Sequence, residues 1–318
     1  MVSNEKQKLA IRKKALLNIV LFASTVLIWG STWFAITLQL GVVPVEWSLV
    51  YRFLVAAVLL FVYARLTGRR LNYNRRDHLF FIALGVLLFS VNYYGTYIGT
   101  ELLPSGIVAV VFSTMTLMNI INSAVFLRRP LEVPVLIAAM IGLGGIILIF
   151  LPEVEHFSLR DDAMLGFWVT LGAAYVASLG NTTVASKQGK SLSVVAMNAW
   201  GMTYGTIMLA IFAIATGKPM LFDWSVPYVG SLVYLSVFGT VIAFTAYLTL
   251  ISRIGPERAG YFAVLFPLVA LVISTIFEGY QWTDEAMVGL ILVLSGNFVV
   301  LRRRQVAKEH HVEVKPAS

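Results

Sequence analysis

Ten apolar runs divide the chain, each close to the length a helix needs to cross a bilayer. They fall at 16–38, 46–64, 79–100, 105–127, 134–151, 164–186, 194–216, 228–251, 259–277 and 286–301. Each run is continuously apolar rather than alternating, which predicts helices and not barrel strands, because a helix satisfies its own backbone hydrogen bonds in lipid. The joining segments are too short to form a soluble domain. With 58% hydrophobic and 13% charged residues over 318 positions, the chain has more apolar surface than a core of this size can hide. The expected class is an all-α membrane protein with ten transmembrane helices.

The net charge of +8 raises the question of nucleic acid, and its distribution answers it. All the basic residues but Arg52, Arg160 and Lys218 fall in alternate connections or at the two ends. The positive-inside rule then predicts a basic cytoplasmic leader at 1–15 and a cytoplasmic tail at 302–318. A bacterial inner membrane is the expected location. The lipid bilayer and a small-molecule substrate are the expected partners, with no nucleic acid; oligomeric state stays open, a monomer included. The leader resembles a signal peptide, but its apolar run is longer than such segments use and no small-residue cleavage site follows, so it reads as an anchor.

Chemistry is sparse. There is no cysteine, and His78, His156, His310 and His311 are scattered without metal-ligand spacing. No glycine-rich phosphate loop is present. No metal, cofactor or catalytic set is expected, and the dense acidic loop of Glu153, Glu155, Asp161 and Asp162 reads as solvated.

The stretch WSLVY at 47–51 returns as WGMTY at 200–204. Leu66-Thr67-Gly68 returns as Ala215-Thr216-Gly217, and Gly30-Ser31-Thr32 as Gly180-Asn181-Thr182. Pro104 is matched by Pro256, and Gly144-Gly145 by Ser295-Gly296. All lie close to half the chain apart and keep their order, so the expected units are a first five-helix repeat at 16–151 and a second at 164–301, joined by an outer loop at 152–163. Five is odd, so the second copy enters the membrane inverted. Inverted repeats can exchange roles around one site, which favours a transporter.

The chain resembles the drug/metabolite transporter superfamily, specifically EamA-type permeases. The resemblance rests on Trp29-Gly30-Ser31-Thr32, Tyr51-Arg52-Phe53-Leu54, Phe266-Pro267 and the glycine-bearing fifth and tenth runs. It covers nearly the whole chain. Where such proteins often carry Gly-Glu after the fourth and ninth helices, this one has Leu127-Arg128-Arg129 and Glu278-Gly279-Tyr280. The resemblance implies export of small metabolites.

Polar residues at helical spacing mark candidate cavity faces. The fourth run carries Ser113, Thr116, Asn119 and Ser123, with Asn122 beside them. This stripe fits either a wet cavity or hydrogen bonding between helices. In the third run Tyr93 and Tyr97 share a face with Ser90 and Glu101, with Asn92 and Tyr94 adjacent; Tyr97 also fits an interfacial belt. Trp33, Trp200 and Tyr204 fit either place, and Asn181 is a further polar candidate. Arg52 either snorkels to the outer surface or turns inward to gate against Glu101 or Glu278. Pro267 is either a static kink or a hinge. With no central cluster of Lys or Arg, the expected function is secondary transport of small neutral or zwitterionic metabolites, amino acids or amphipathic compounds, by alternating access. A membrane sensor or scaffold is the alternative, and an enzyme is not expected.

Overall fold

The computed structural model describes residues 2–128, 133–154, 162–254 and 262–313. These form α1 (Val2–Thr37), α2 (Val45–Leu66), α3 (Arg75–Phe89), α4 (Val91–Leu102), α5 (Ser105–Ser113), α6 (Met115–Leu127) and α7 (Val133–Val154). The second half forms α8 (Asp162–Val184), the short α9 (Lys187–Ser191), α10 (Val194–Ala215) and α11 (Val226–Val233). A π-helical segment (Tyr234–Ile242), α12 (Ala243–Ile254), α13 (Phe262–Phe277) and α14 (Asp284–Glu313) complete it. No strand occurs among the described residues. Pro256, the loop acids Glu155 and Asp161, and Arg160 lie outside them.

Seven helical stretches among the described residues are long and apolar enough to cross a bilayer: Ala15–Thr37, Val45–Leu66, Arg75–Leu102, Ser105–Leu127, Asp162–Val184, Val194–Ala215 and Val226–Tyr247. Met140–Ile149 and Leu265–Phe277 are shorter apolar helices. Large apolar side chains such as Leu54, Val58, Val62, Ile207, Ile211 and Ile214 stand exposed along α2 and α10. Only lipid makes such a surface stable, and the chain is an integral membrane protein.

Both copies of the Thr-Gly motif end their helices in the same way. Gly68 and Gly217 take left-handed φ values of 64° and 67°. The amides of Gly68 and Arg69 donate to the carbonyls of Arg65 and Ala64, and those of Gly217 and Lys218 to Ile214 and Ala213. This double bond closes the last turn, and glycine adopts the required φ without a Cβ clash. The Thr67 and Thr216 hydroxyls each donate to the carbonyl four residues back, at 2.7 Å.

The irregularities repeat as well. Ser90 breaks the helix between α3 and α4, and its hydroxyl donates to the Gly85 carbonyl, five residues back, at 2.9 Å. Thr240, 150 positions later in the π-helical segment, donates to the Leu235 carbonyl, again five back, at 2.8 Å. Each copy thus has a wide turn at the same place, in the sense of a hydroxyl bonded five residues back where the α-helix is interrupted, by a break at Ser90 and by π-helix at Thr240.

Packing follows the duplication. α8 packs on α4 and α6 as α1 packs on α12 and α13, and α10 packs on α3 as α2 packs on the π-helical segment. The pairs α2–α10, α5–α13 and α7–α14 map onto themselves. At the α7–α14 crossing a Cβ on Gly145 would run into the Gly289 carbonyl, and one on Gly289 into that of Gly145. Gly296 is pressed equally hard against Ala138 and Gly142, whereas Gly144 meets nothing. Glycines here let two backbones touch, as small residues do in membranes.

Candidate functional site

The repeated Trp-Tyr pairs lie at opposite ends of the antiparallel α2–α10 pair. Trp47 Nε1 donates to the Lys218 carbonyl at 3.0 Å, just past the end of α10. Trp200 Nε1 donates to the Leu71 carbonyl at 3.2 Å, just past the end of α2. Each indole stacks on its own tyrosine at 27° between planes. Tyr51 then donates to the Leu221 carbonyl at 2.8 Å, while the Tyr204 hydroxyl meets His78 Nδ1 at 2.8 Å. Trp200 therefore binds the α2–α3 connection and Tyr204 the first turn of α3, while Trp47 and Tyr51 bind the α10–α11 connection.

Arg52 sits inward of the Trp47 tether and is only 2% exposed. It does not snorkel. Its Nη1 donates to the Tyr97 hydroxyl at 3.3 Å, and Tyr97 donates onward to Gln39 Oε1 at 2.6 Å. The guanidinium carbon lies 4.8 Å from the Tyr93 ring centre and 5.5 Å from that of Phe53, within cation–π range. Ser236 of the π-helical segment donates to the Arg52 carbonyl at 3.2 Å, and Ser48, one turn back, meets the Tyr228 hydroxyl at 3.0 Å. α4 and the π-helical segment thus meet α2 at Arg52, the segment after α1 joins through Tyr97, and α11 docks one turn back at Ser48.

Neither acid considered for a gate reaches Arg52 in this arrangement. Glu278 accepts from the Ser105 amide at 3.2 Å and from its hydroxyl at 2.5 Å, so its charge sits on the start of α5. Glu101 is exposed and borders a cleft of about 140 Å³ with Glu46, Tyr94, Gly41 and Lys218. Glu46 is buried at the start of α2, and neither it nor Gln39 stood out in the sequence.

The polar stripe of the fourth run divides. The Ser113 hydroxyl donates to the Val110 carbonyl at 2.7 Å, and Asn122 donates to Ser178 on α8 at 2.9 Å. Asn181 donates to Asn119 Oδ1 at 3.4 Å and to Met115 Sδ at 3.3 Å. Thr116 and Asn119 are half-buried, and Ser123 is buried. Beyond them, Leu127, Ala185, Lys187 and Lys190 bound a cleft of about 420 Å³ on the Trp200 side. Asn92 is buried, donates to the Leu88 carbonyl at 3.2 Å, and leaves its Oδ1 without a partner.

Trp33 stacks on Phe266 at 6.0 Å and tilts against Phe112 at 5.1 Å, joining α1, α13 and α5. Trp29 turns elsewhere, donating to the Gly239 carbonyl at 3.0 Å and edging Phe244 at 5.2 Å. Ser31 meets the Tyr234 hydroxyl at 2.6 Å, and a Cβ on Gly30 would meet Val269 at 2.6 Å. The Trp29–Thr32 motif thus docks α1 on the π-helical segment and α13. Pro267 is buried inside α13, which continues through it.

Comparison with known proteins agrees with this architecture. A solved crystal structure 15% identical in sequence superposes with a TM-score of 0.66, covering 91% of this chain and 98% of that one. The uncharacterized transporter YoaV of Bacillus subtilis is 27% identical over 90% of this chain and 96% of its own length. The protein PagO of Salmonella typhimurium is 23% identical over 90% of this chain and 93% of its own length. The uncharacterized inner membrane transporter YedA of Escherichia coli K12 is 28% identical over 88% and 92%. The model of the EamA-like transporter family matches twice, at residues 16–151 and 166–302, the same two halves that the Trp-Tyr tethers and wide turns relate. The chain belongs to the EamA-like transporter family.

Proposed function

We propose that the protein is a secondary transporter that moves small neutral or zwitterionic metabolites by alternating access, through ten crossings arranged as two inverted five-helix repeats. The reciprocal tethers carry this reading. Each repeat fastens, by one indole N–H, the connection that ends the matching helix of the other. Releasing one tether while keeping the other opens one face and holds the opposite one shut. Exchanging them gives the second state at similar energy.

In this proposal the Trp47 side is external and both termini are cytoplasmic, because the basic connections lie on the Trp200 side. The sealed cluster around Arg52 and the larger cleft beyond Leu127 and Lys190 fit a state closed outside and opening inward. The half-buried Thr116, Asn119 and Asn181 line the inner part of the path.

Two measurements test this. Counterflow of labelled amino acids in proteoliposomes should show saturable exchange without ATP; absence of exchange for every solute offered removes the transport reading. Reporter fusions after Gly68 and Ser318 should read inside and one after His156 outside; an inside reading at His156 removes the inversion. The natural lack of cysteine allows a finer test. Cysteine at Thr116 or Asn119 should react with a water-soluble maleimide faster than cysteine at Val110 or Leu117.

A further inference from the structure

Arg52 carries a charge that the chain leaves unanswered. No carboxylate lies within ion-pair distance of it among the described residues, and its Nε–H has no hydrogen-bond partner. Two contacts away, Gln39 is 1% exposed and its Nε2 has no partner either. Tyr97, wholly buried, already donates to Gln39 and accepts from Arg52. The cluster therefore holds one positive charge and two idle donors, with its central hydroxyl occupied.

A cation buried this way is expensive, and cation–π contacts with Tyr93 and Phe53 offset only part of the cost. The missing partner must accept hydrogen bonds and carry one negative charge. A carboxylate does both, and its two oxygens match the planar guanidinium fork. A phosphate would bring a second charge, and the one other cation near among the described residues, Lys218, already stands beside Glu46 and Glu101. In this closed arrangement the cluster is sealed, and the opening on its side of the membrane is the cleft of about 140 Å³ bordered by Gly41, Glu46, Tyr94, Glu101 and Lys218.

We propose that Arg52, Gln39 and Tyr97 form the binding site for a carboxylate group on the transported molecule. The proposal rests on the transport reading above, narrows its cargo to carboxylate-bearing molecules and extends it to simple monoanions. Tyr93 and Phe53 hold the guanidinium plane, and Gln39 donates to the second oxygen.

The test uses the purified full-length protein and matched pairs of acid and amide: octanoate with octanamide, and L-leucine with L-leucinamide. In thermal unfolding, at least one acid should raise the wild-type Tm by several degrees while its amide does not. The first pair succeeding points to a simple monoanion, the second to a zwitterion. Arg52→Gln should respond to neither member, and Arg52→Lys should keep a weakened response. Gln39→Glu places a carboxylate permanently in the cluster, so it should unfold at a higher temperature than wild type and ignore added acid. That variant carries the test if Arg52→Gln does not fold. Equal shifts by acid and amide, a response surviving in Arg52→Gln, or no response to either acid would overturn the proposal. Counterflow of the same solutes separates the two claims. Equal exchange of acid and amide leaves transport standing without the anchor. Acid binding without any exchange leaves the anchor and removes transport.

Discussion

The two Trp-Tyr tethers share a geometry and differ one step inward. Trp47 and Trp200 stack on their tyrosines at 6.3 and 6.1 Å and reach carbonyls at 3.0 and 3.2 Å. One residue beyond Tyr51 stands Arg52; one beyond Tyr204 stands Gly205. A Cβ on Gly205 would meet Phe89 Cβ at 2.8 Å and the carbonyl oxygens of Phe89 and Gly85 at 3.0 and 3.1 Å. So the second repeat uses this position to bring α10 against α3, and the first uses it to bury a charge. The duplicated frame is symmetric, while the chemistry placed in it is not. One copy supplies packing and the other a polar cluster.

The sharpest way to break this comparison is to give Gly205 a side chain. Gly205→Val should cost more than about 3 kcal/mol, the upper end of overpacking, because backbone and not a flexible chain end blocks it. Yield and Tm of the purified protein would report it, and a wild-type Tm would show that the contact is loose. The opposite sign is expected at the matching position. Arg52→Met removes an unpaired charge and should stabilise the ligand-free protein by on the order of 1–3 kcal/mol, as apolar replacement of buried ions does. A destabilised Arg52→Met would mean that Arg52 is structural.

Smaller effects test the symmetry of the frame. Trp47→Phe and Trp200→Phe each lose one N–H···O=C bond and should each cost about 1 kcal/mol in thermal unfolding. A difference of several-fold between them would show that one face carries most of the closure. Tyr51→Phe and Tyr204→Phe should each cost less than about 1 kcal/mol. The Tyr204 change should cost more, because it strands a half-buried imidazole whereas Leu221 is exposed and its connection open to water.

The helical stretches were legible because lipid demands long apolar runs, and the two halves because caps and tethers need particular residues. Gly68 and Gly217 could be paired from sequence since only glycine takes that φ easily. The wide turns could not. Ser90 has no glycine or proline beside it, Gly239 before Thr240 is one of 24 glycines in the chain, and a hydroxyl looks the same in sequence whether it bonds four or five residues back. Arg52 shows the same limit: its depth follows from counting residues, but its rotation is set by Tyr97 and Tyr93, more than forty positions away. The stripe on the fourth run is instructive for another reason. Ser113 looked polar, yet its hydroxyl is spent on its own helix, while Asn122 is spent on Ser178. Polarity in the sequence marks the residue type, not an open donor.

The wide turns also steer. A helix advances about 100° per residue, so a π-helical stretch, or a break such as that at Ser90, sets everything after it out of phase with everything before it. Up to Phe89 the third crossing packs mainly on α10 and to a lesser extent on α8; past Ser90, α4 packs mainly on α8. In the second copy the π-helical segment reaches both α2 and α1, and α12 packs on α1. The interruption turns the later part of the rod more fully toward the other row of helices, so one rod binds both halves of the bundle.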